Sequence, residues 1–188
     1  MFRTLHTVMQ DNPLTTAQIE VLAKANQMAV AGNSAGAAPL FAEVARELDS
    51  PHPRRAANLH ARAAHAYADA NRPQLALEQA RAGLNMFIQY SIVDRAPVFY
   101  ANITRKLNNK GMKGAATAIQ NEFGSKIASL PPQPPQSPGQ APARRGVLPT
   151  NCPKCGGPVH SDSASWVDNQ TAECEYCGTL IRTTANKQ

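Results

Sequence analysis

The sequence predicts a mainly α-helical chain that ends in a small β module. Three observations carry that expectation. Alanine supplies much of a 43% hydrophobic fraction while aromatics are only 5%, a composition that suits closely packed helices better than sheets. Apolar residues recur at helical spacing in about six separate stretches, with turn residues at a regular interval between them. The only four cysteines form two C-x-x-C pairs beyond a proline-rich stretch. These shifts divide the chain into an N-terminal segment (1–14), a helical domain (15–128), a proline-rich linker (129–149) and a cysteine module (150–188).

The N-terminal segment ends in Asp11-Asn12-Pro13, a turn signal. Thr15 and Gln18 have the spacing of a capping box, and Ile19, Leu22, Ala25, Met28 and Ala29 follow on one helical face. Gly32-Asn33 breaks that helix. Ala37, Leu40, Phe41, Val44 and Leu48 mark the return helix, and Ser50 stands as a natural N-cap for the third, with proline in its first turn. Leu59, Ala63, Ala64, Tyr67 and Ala68 share the third helix's face; Leu75, Ala76, Ala80, Leu84 and Phe87 share the fourth's. A fifth helix, starting near Asp94 to place Pro97 in its first turn, carries Val98, Phe99, Ile103 and Leu107. A sixth carries Ala115, Ala116, Ile119 and Phe123 and is expected to stop at Gly124.

The pattern is an internal repeat. Gly32, Asn71 and Lys110 mark equivalent turns at a period of 39 residues. Five residues after each comes alanine (Ala37, Ala76, Ala115). Seven before come Ala25, Ala64 and Ile103, and four before come Met28, Tyr67 and Lys106. With a small residue in the first helix, tyrosine three later, a Gly/Asn turn and alanine in the second helix, the chain resembles tetratricopeptide (TPR) repeats over residues 15 to 124. Ala64, Tyr67, Asn71, Ala76, Leu77 and Ala80 carry the resemblance best. Ile103 and Lys106 depart from it, and the usual period is about 34 residues. The resemblance implies α-hairpins whose first helices line a concave groove for a protein or peptide partner. Its groove positions fall on Asn26, on Asn58, Arg62, His65 and Asp69, and on Tyr100, Thr104 and Asn108. The family's carboxylate clamp needs lysines where this chain has Leu22 and Pro97, so a groove ligand would be recognised in another way.

Prolines crowd the 129–149 segment, remove amide donors and favour extended backbone. A semi-rigid spacer between two domains is expected there. Beyond it, Cys152, Cys155, Cys174 and Cys177 offer four thiolates, which satisfy a tetrahedral ion completely. Eighteen residues separate the pairs, within the range of a four-cysteine zinc site. Gly156 and Gly178 supply a left-handed turn after each pair, expected to aim amides at the sulfurs. Ser165–Val167 and Gln170–Ala172 flank Asp168-Asn169 as a hairpin, with Thr179–Arg182 as a third strand. The module resembles a zinc ribbon, with Trp166 packing its small core and one structural zinc supplying most of its stability. Rubredoxin-like iron uses similar knuckles and stays open as an alternative.

Four thiolates leave no open coordination position for catalysis. The chain has no H-E-x-x-H, P-loop or G-x-G-x-x-G, so no enzyme is expected. His60 and His65 read as partly exposed histidines. Charge is divided: residues 1–128 carry fourteen Lys/Arg against nine Asp/Glu, whereas 150–188 carry three against four, within a chain of net +6. A ribbon of net −1 is a poor phosphate binder. The expected function is therefore a non-enzymatic adaptor that binds a protein or peptide partner through its helical repeats. A nucleic-acid-associated factor whose helices contribute the charge is the alternative. Met1–His6 lacks an apolar signal core and no membrane span is visible. Cysteines committed to metal fit a reducing compartment, so a cytoplasmic protein is expected.

Overall fold

A computed structural model describes residues 14–131, 146–161 and 164–184. Most of the N-terminal segment and of the proline-rich linker lies outside them. Among the described residues, six helices precede a three-stranded antiparallel sheet: α1 (Thr16–Val30), α2 (Ser34–Leu48), α3 (Pro53–Asp69), α4 (Pro73–Gln89), α5 (Ala96–Asn109), α6 (Lys113–Ala128), then β1 (Ser165–Trp166), β2 (Thr171–Glu173) and β3 (Leu180–Arg182). The chain is mainly α with a C-terminal β element. No described helix is long and apolar enough to cross a membrane.

Local chemistry sets the helix ends. The Gln18 amide donates to Thr15 Oγ1 at 3.2 Å and the Thr15 amide donates to Gln18 Oε1 at 3.0 Å, a reciprocal capping box. Asn33 caps α2 by accepting the Gly36 amide at 2.9 Å. Two expected ends differ. His52, not Ser50, is the N-cap of α3, without a side-chain cap bond, and Pro53 opens the first turn. There a missing N–H costs nothing. Helix α6 runs through Gly124 to Ala128; Gly124 lacks the left-handed φ of a terminating glycine, and the Tyr100 hydroxyl lies against it.

The repeat turns also correct the expected register. Gly32 (φ 78°), Asn71 (φ 56°) and Gly111 (φ 75°) are the left-handed residues. After each, an amide reaches back five positions: Asn33 to Met28 O, Arg72 to Tyr67 O and Met112 to Leu107 O, all at 2.9 Å. Gly111 rather than Lys110 is thus the third equivalent turn. The third unit then reads Thr104, Leu107 and Ala116 in place of Ile103, Lys106 and Ala115, and its small-residue position is less divergent than the sequence suggested.

Successive helices pack on one another, with α3 also against α5 and α4 against α6. Fully buried alanines, among them Ala25, Ala37, Ala64, Ala76 and Ala116, allow that close approach. Each second helix buries one phenylalanine: Phe41, Phe87 and Phe123. Burial of such a side chain is worth about 1.5–3 kcal/mol. Two apolar clusters result. One joins α3 to α6; the other joins α1, α2 and α3 to the cysteines, Ala172 and Ile181 of the C-terminal module. The expected picture of a separate tethered module gives way here: the ribbon shares a core with the first helices.

Candidate metal centre

The β module is a short hairpin plus one strand. Trp166 pairs with Ala172, and Ala172 with Ile181. Asp168 shapes the hairpin turn by accepting the Gln170 amide at 2.7 Å. Trp166 is half-buried against the core and donates its indole N–H to Ser161 O at 3.1 Å. On this sheet stand two knuckles that match bond for bond. Cys152 N–H donates to Gly157 O (2.7 Å) and Cys174 N–H to Thr179 O (2.9 Å); Gly156 N–H donates to Cys152 O and Gly178 N–H to Cys174 O, both at 2.9 Å. Gly156 and Gly178 are left-handed, at φ 70° and 72°. Their own amides thus go to carbonyl oxygens. The amides that reach sulfur are those of Cys155, onto Cys152, and Cys177, onto Cys174.

All four sulfurs are buried and lie within 4.8 Å of one another. Cys152 and Cys177 are 3.7 Å apart, and Cys155 and Cys174 are 3.8 Å apart. A disulfide needs about 2.05 Å, so these are free thiols. A tetrahedral ion with metal–sulfur bonds of about 2.3 Å has edges of about 3.8 Å. The four cysteines therefore fit one tetrahedral metal ion. Their proton affinities are mutually set: hydrogen bonding with Cys152 pushes the Cys155 and Cys174 thiols up and pulls Cys177 down, while bonding with Cys155 lowers Cys152 to about 7. Four thiolates packed this closely need a cation to be ionised together. His160 is exposed and stands outside the cluster.

The helices hold both knuckles. Asn26 of α1 donates to Cys155 O at 2.6 Å, and Asn58 of α3 donates to Glu175 O at 3.2 Å. Arg55 of α3, 4% exposed, pairs with Glu173 at 2.6 Å. Arg95, the N-cap residue of α5, forks onto both carboxylate oxygens of Glu175 and donates to Asn58 Oδ1 at 3.1 Å. Burial is the largest influence and works against the Arg95 charge, but the bond and charge of Glu175, with Tyr176 and Asp94, together outweigh it and hold the guanidinium above the usual arginine pKa. Arg62 lies between two rings, 4.6 Å from the Phe41 centroid and 4.9 Å from that of Tyr176. Tyr176 has its phenol pKa raised, foremost by burial.

Of the residues expected to line a partner groove, Asn26, Asn58 and Arg62 thus meet the chain's own ribbon. His65 and Asp69 lie further along α3. His65 packs edge-on to Phe99 at 5.6 Å; burial, with Lys106 and Arg62 nearby, pulls its pKa down to about 4. Asp69 accepts from Lys106 at 2.5 Å and lies 3.5 Å from Lys110. Tyr100 packs half-buried against α6 at Gly124, and Thr104 is buried in α5. His60, expected to be partly exposed, is buried between Gln79 (2.7 Å) and Asp49 (2.9 Å). Sequence reasoning missed Arg55, Arg95, Glu173, Glu175 and Tyr176. The one signal pointing to them was the division of charge between basic helices and acidic ribbon. No protein-family model, curated protein or solved structure matches the chain.

Proposed function

We propose that the protein is a non-enzymatic interaction module, TPR-like in its helical repeats, in which one structural zinc ion stiffens the ribbon end. The buried four-thiolate cluster carries this reading. Four thiolates within 4.8 Å of one another would close the coordination shell of one ion and leave it no position for substrate. Its role is then mechanical: it fixes two knuckles, and the helices grip those knuckles. Zinc is the first choice for a closed shell of four thiolates in two C-x-x-C knuckles. Free thiols at such a site suit a reducing, cytoplasmic setting.

As an adaptor, the module would present a protein or peptide partner with the part of the concave face the ribbon leaves open. His65, Asn102, Arg105, Lys106, Asn109 and Lys110 line a shallow depression there. A nucleic-acid role draws less support. Arg55 and Arg95 face ribbon carboxylates, and Lys106 and Lys110 face Asp69, which neutralises charge that phosphates would need.

Elemental analysis of protein purified under reducing conditions tests the metal. One zinc per chain and no visible absorption are expected; a coloured iron protein would overturn the assignment. Pull-downs with the native chain and with an Arg105→Glu/Lys110→Glu chain test the adaptor role. A partner retained equally by both would exclude the open end of the groove as its site.

A further inference from the structure

We propose that the face formed by Arg55, Asn58, Arg62 and Arg95 is a receptor for a short segment of the form Glu-x-Glu-Tyr. The chain's own Glu173–Tyr176 fills it in cis, and a partner segment of that chemistry can fill it when the ribbon lets go. The proposal rests on the metal reading above, because the ribbon's hold depends on the ion that folds its knuckles.

The contacts come from one continuous stretch. Glu173 takes Arg55, Glu175 takes Arg95, the Glu175 carbonyl takes Asn58, and Tyr176 stacks on Arg62. Each residue but the intervening cysteine thus has its own partner, with a side chain or a backbone group recognised. Such forked, charge-assisted bonds impose direction and spacing on a ligand. Arg62 also rests against Phe41, 4.6 Å from its ring centroid, so the stacking platform belongs to the helices rather than to the ribbon. Emptying the face would take Glu173 from the nearly buried Arg55, and another acidic segment would restore that charge-assisted contact. The seam is also not fully closed: a cleft of ≈ 130 Å³ remains, lined by Arg54, Arg55, Asn58, Arg95, Glu173 and Glu175 among others. These polar contacts border a seam that also buries the cysteines, Ala172 and Ile181 against α1 to α3, so loss of the knuckles' fold on metal removal is what opens it.

The test uses a fluorescein-labelled peptide spanning residues 172 to 178, with both of its cysteines replaced by serine, titrated by anisotropy. Three forms of the full chain are compared: native, metal-stripped by chelation under reducing conditions, and Glu173→Gln/Glu175→Gln. Binding about tenfold tighter to the second and third forms than to the first is expected. Adding Arg95→Ala should abolish it, as should glutamine in place of the peptide's glutamates. Circular dichroism checks that the helices persist in each form. No binding to either opened form, or binding indifferent to Arg95→Ala, would overturn the receptor. A glutamine variant that keeps its metal but refuses the peptide would sink this proposal and leave the metal reading standing. If no form binds metal, the metal reading falls, and the titration of the glutamine variant still decides the receptor.

Discussion

The two ends of the helical array are stabilised by different means. Helices α3 to α6 bury Phe87, Phe99, Phe123, Ile103 and Ile119 in a cluster made only of helical and turn residues. The cluster of α1, α2 and α3 includes Cys152, Cys155, Cys174, Cys177, Ala172 and Ile181 from the far end of the chain. The N-terminal end thus shares its core with the ribbon, whose four cysteines are placed to hold a metal ion. A repeat array normally takes its stability from nearest neighbours alone. Here one repeat boundary is reinforced by a segment more than a hundred residues away.

Metal removal should break that contrast most strongly. Structural zinc contributes on the order of 10 kcal/mol to small cysteine modules. Chelation or Cys155→Ser should unfold residues 146–184 and loosen α1, leaving amides of α4 to α6 protected in hydrogen exchange. Trp166, the only tryptophan, should shift its emission to the red. Uniform loss of protection across all six helices would mean that the ends are not distinct. Phe123→Ala should do the reverse: it should cost about 3–5 kcal/mol in thermal melts while metal content stays unchanged.

A pH series sharpens the boundary between the two ends, where His65 sits. Its folded-state pKa is about 4 against an ordinary 6.5, so the unfolded chain binds more protons between those values. Stability should be full above pH 6.5 and fall as the pH drops toward 4, by up to about 3 kcal/mol. His65→Gln should flatten that part of the curve in denaturant titrations. The smallest effect expected is for Arg95→Ala, which removes a partly exposed fork onto Glu175. A loss of about 2 kcal/mol in the melt, with metal retained, would place the fork among ordinary charge-assisted contacts.

Much of the local structure was legible because its causes are local. Thr15 with Gln18, Pro53 and Pro97 at first turns, and glycine after each cysteine pair act over five residues or fewer. The third turn misled because Lys110 and Gly111 are adjacent and a strict 39-residue period selects the lysine. The chain spends one residue more there, and only the left-handed φ of Gly111 reveals it. The docking of the ribbon was not legible residue by residue. Asn26, Arg55, Glu173 and Glu175 each read as ordinary solvated polar residues, and their pairing spans more than a hundred positions. Opposite net charges on helices and ribbon were the trace of it in the sequence. The cysteine spacing named the ligands, whereas the tetrahedral edges could come only from coordinates.

The bond from Asn26 to Cys155 has a consequence for synthesis. Its two ends lie 129 positions apart, so at 5–20 residues per second the ribosome needs roughly ten seconds to make the second after the first. During that interval α1 to α3 emerge with their inner face bare. Docking of the first helices onto the cysteine module therefore has to wait until the chain through β3 has been made.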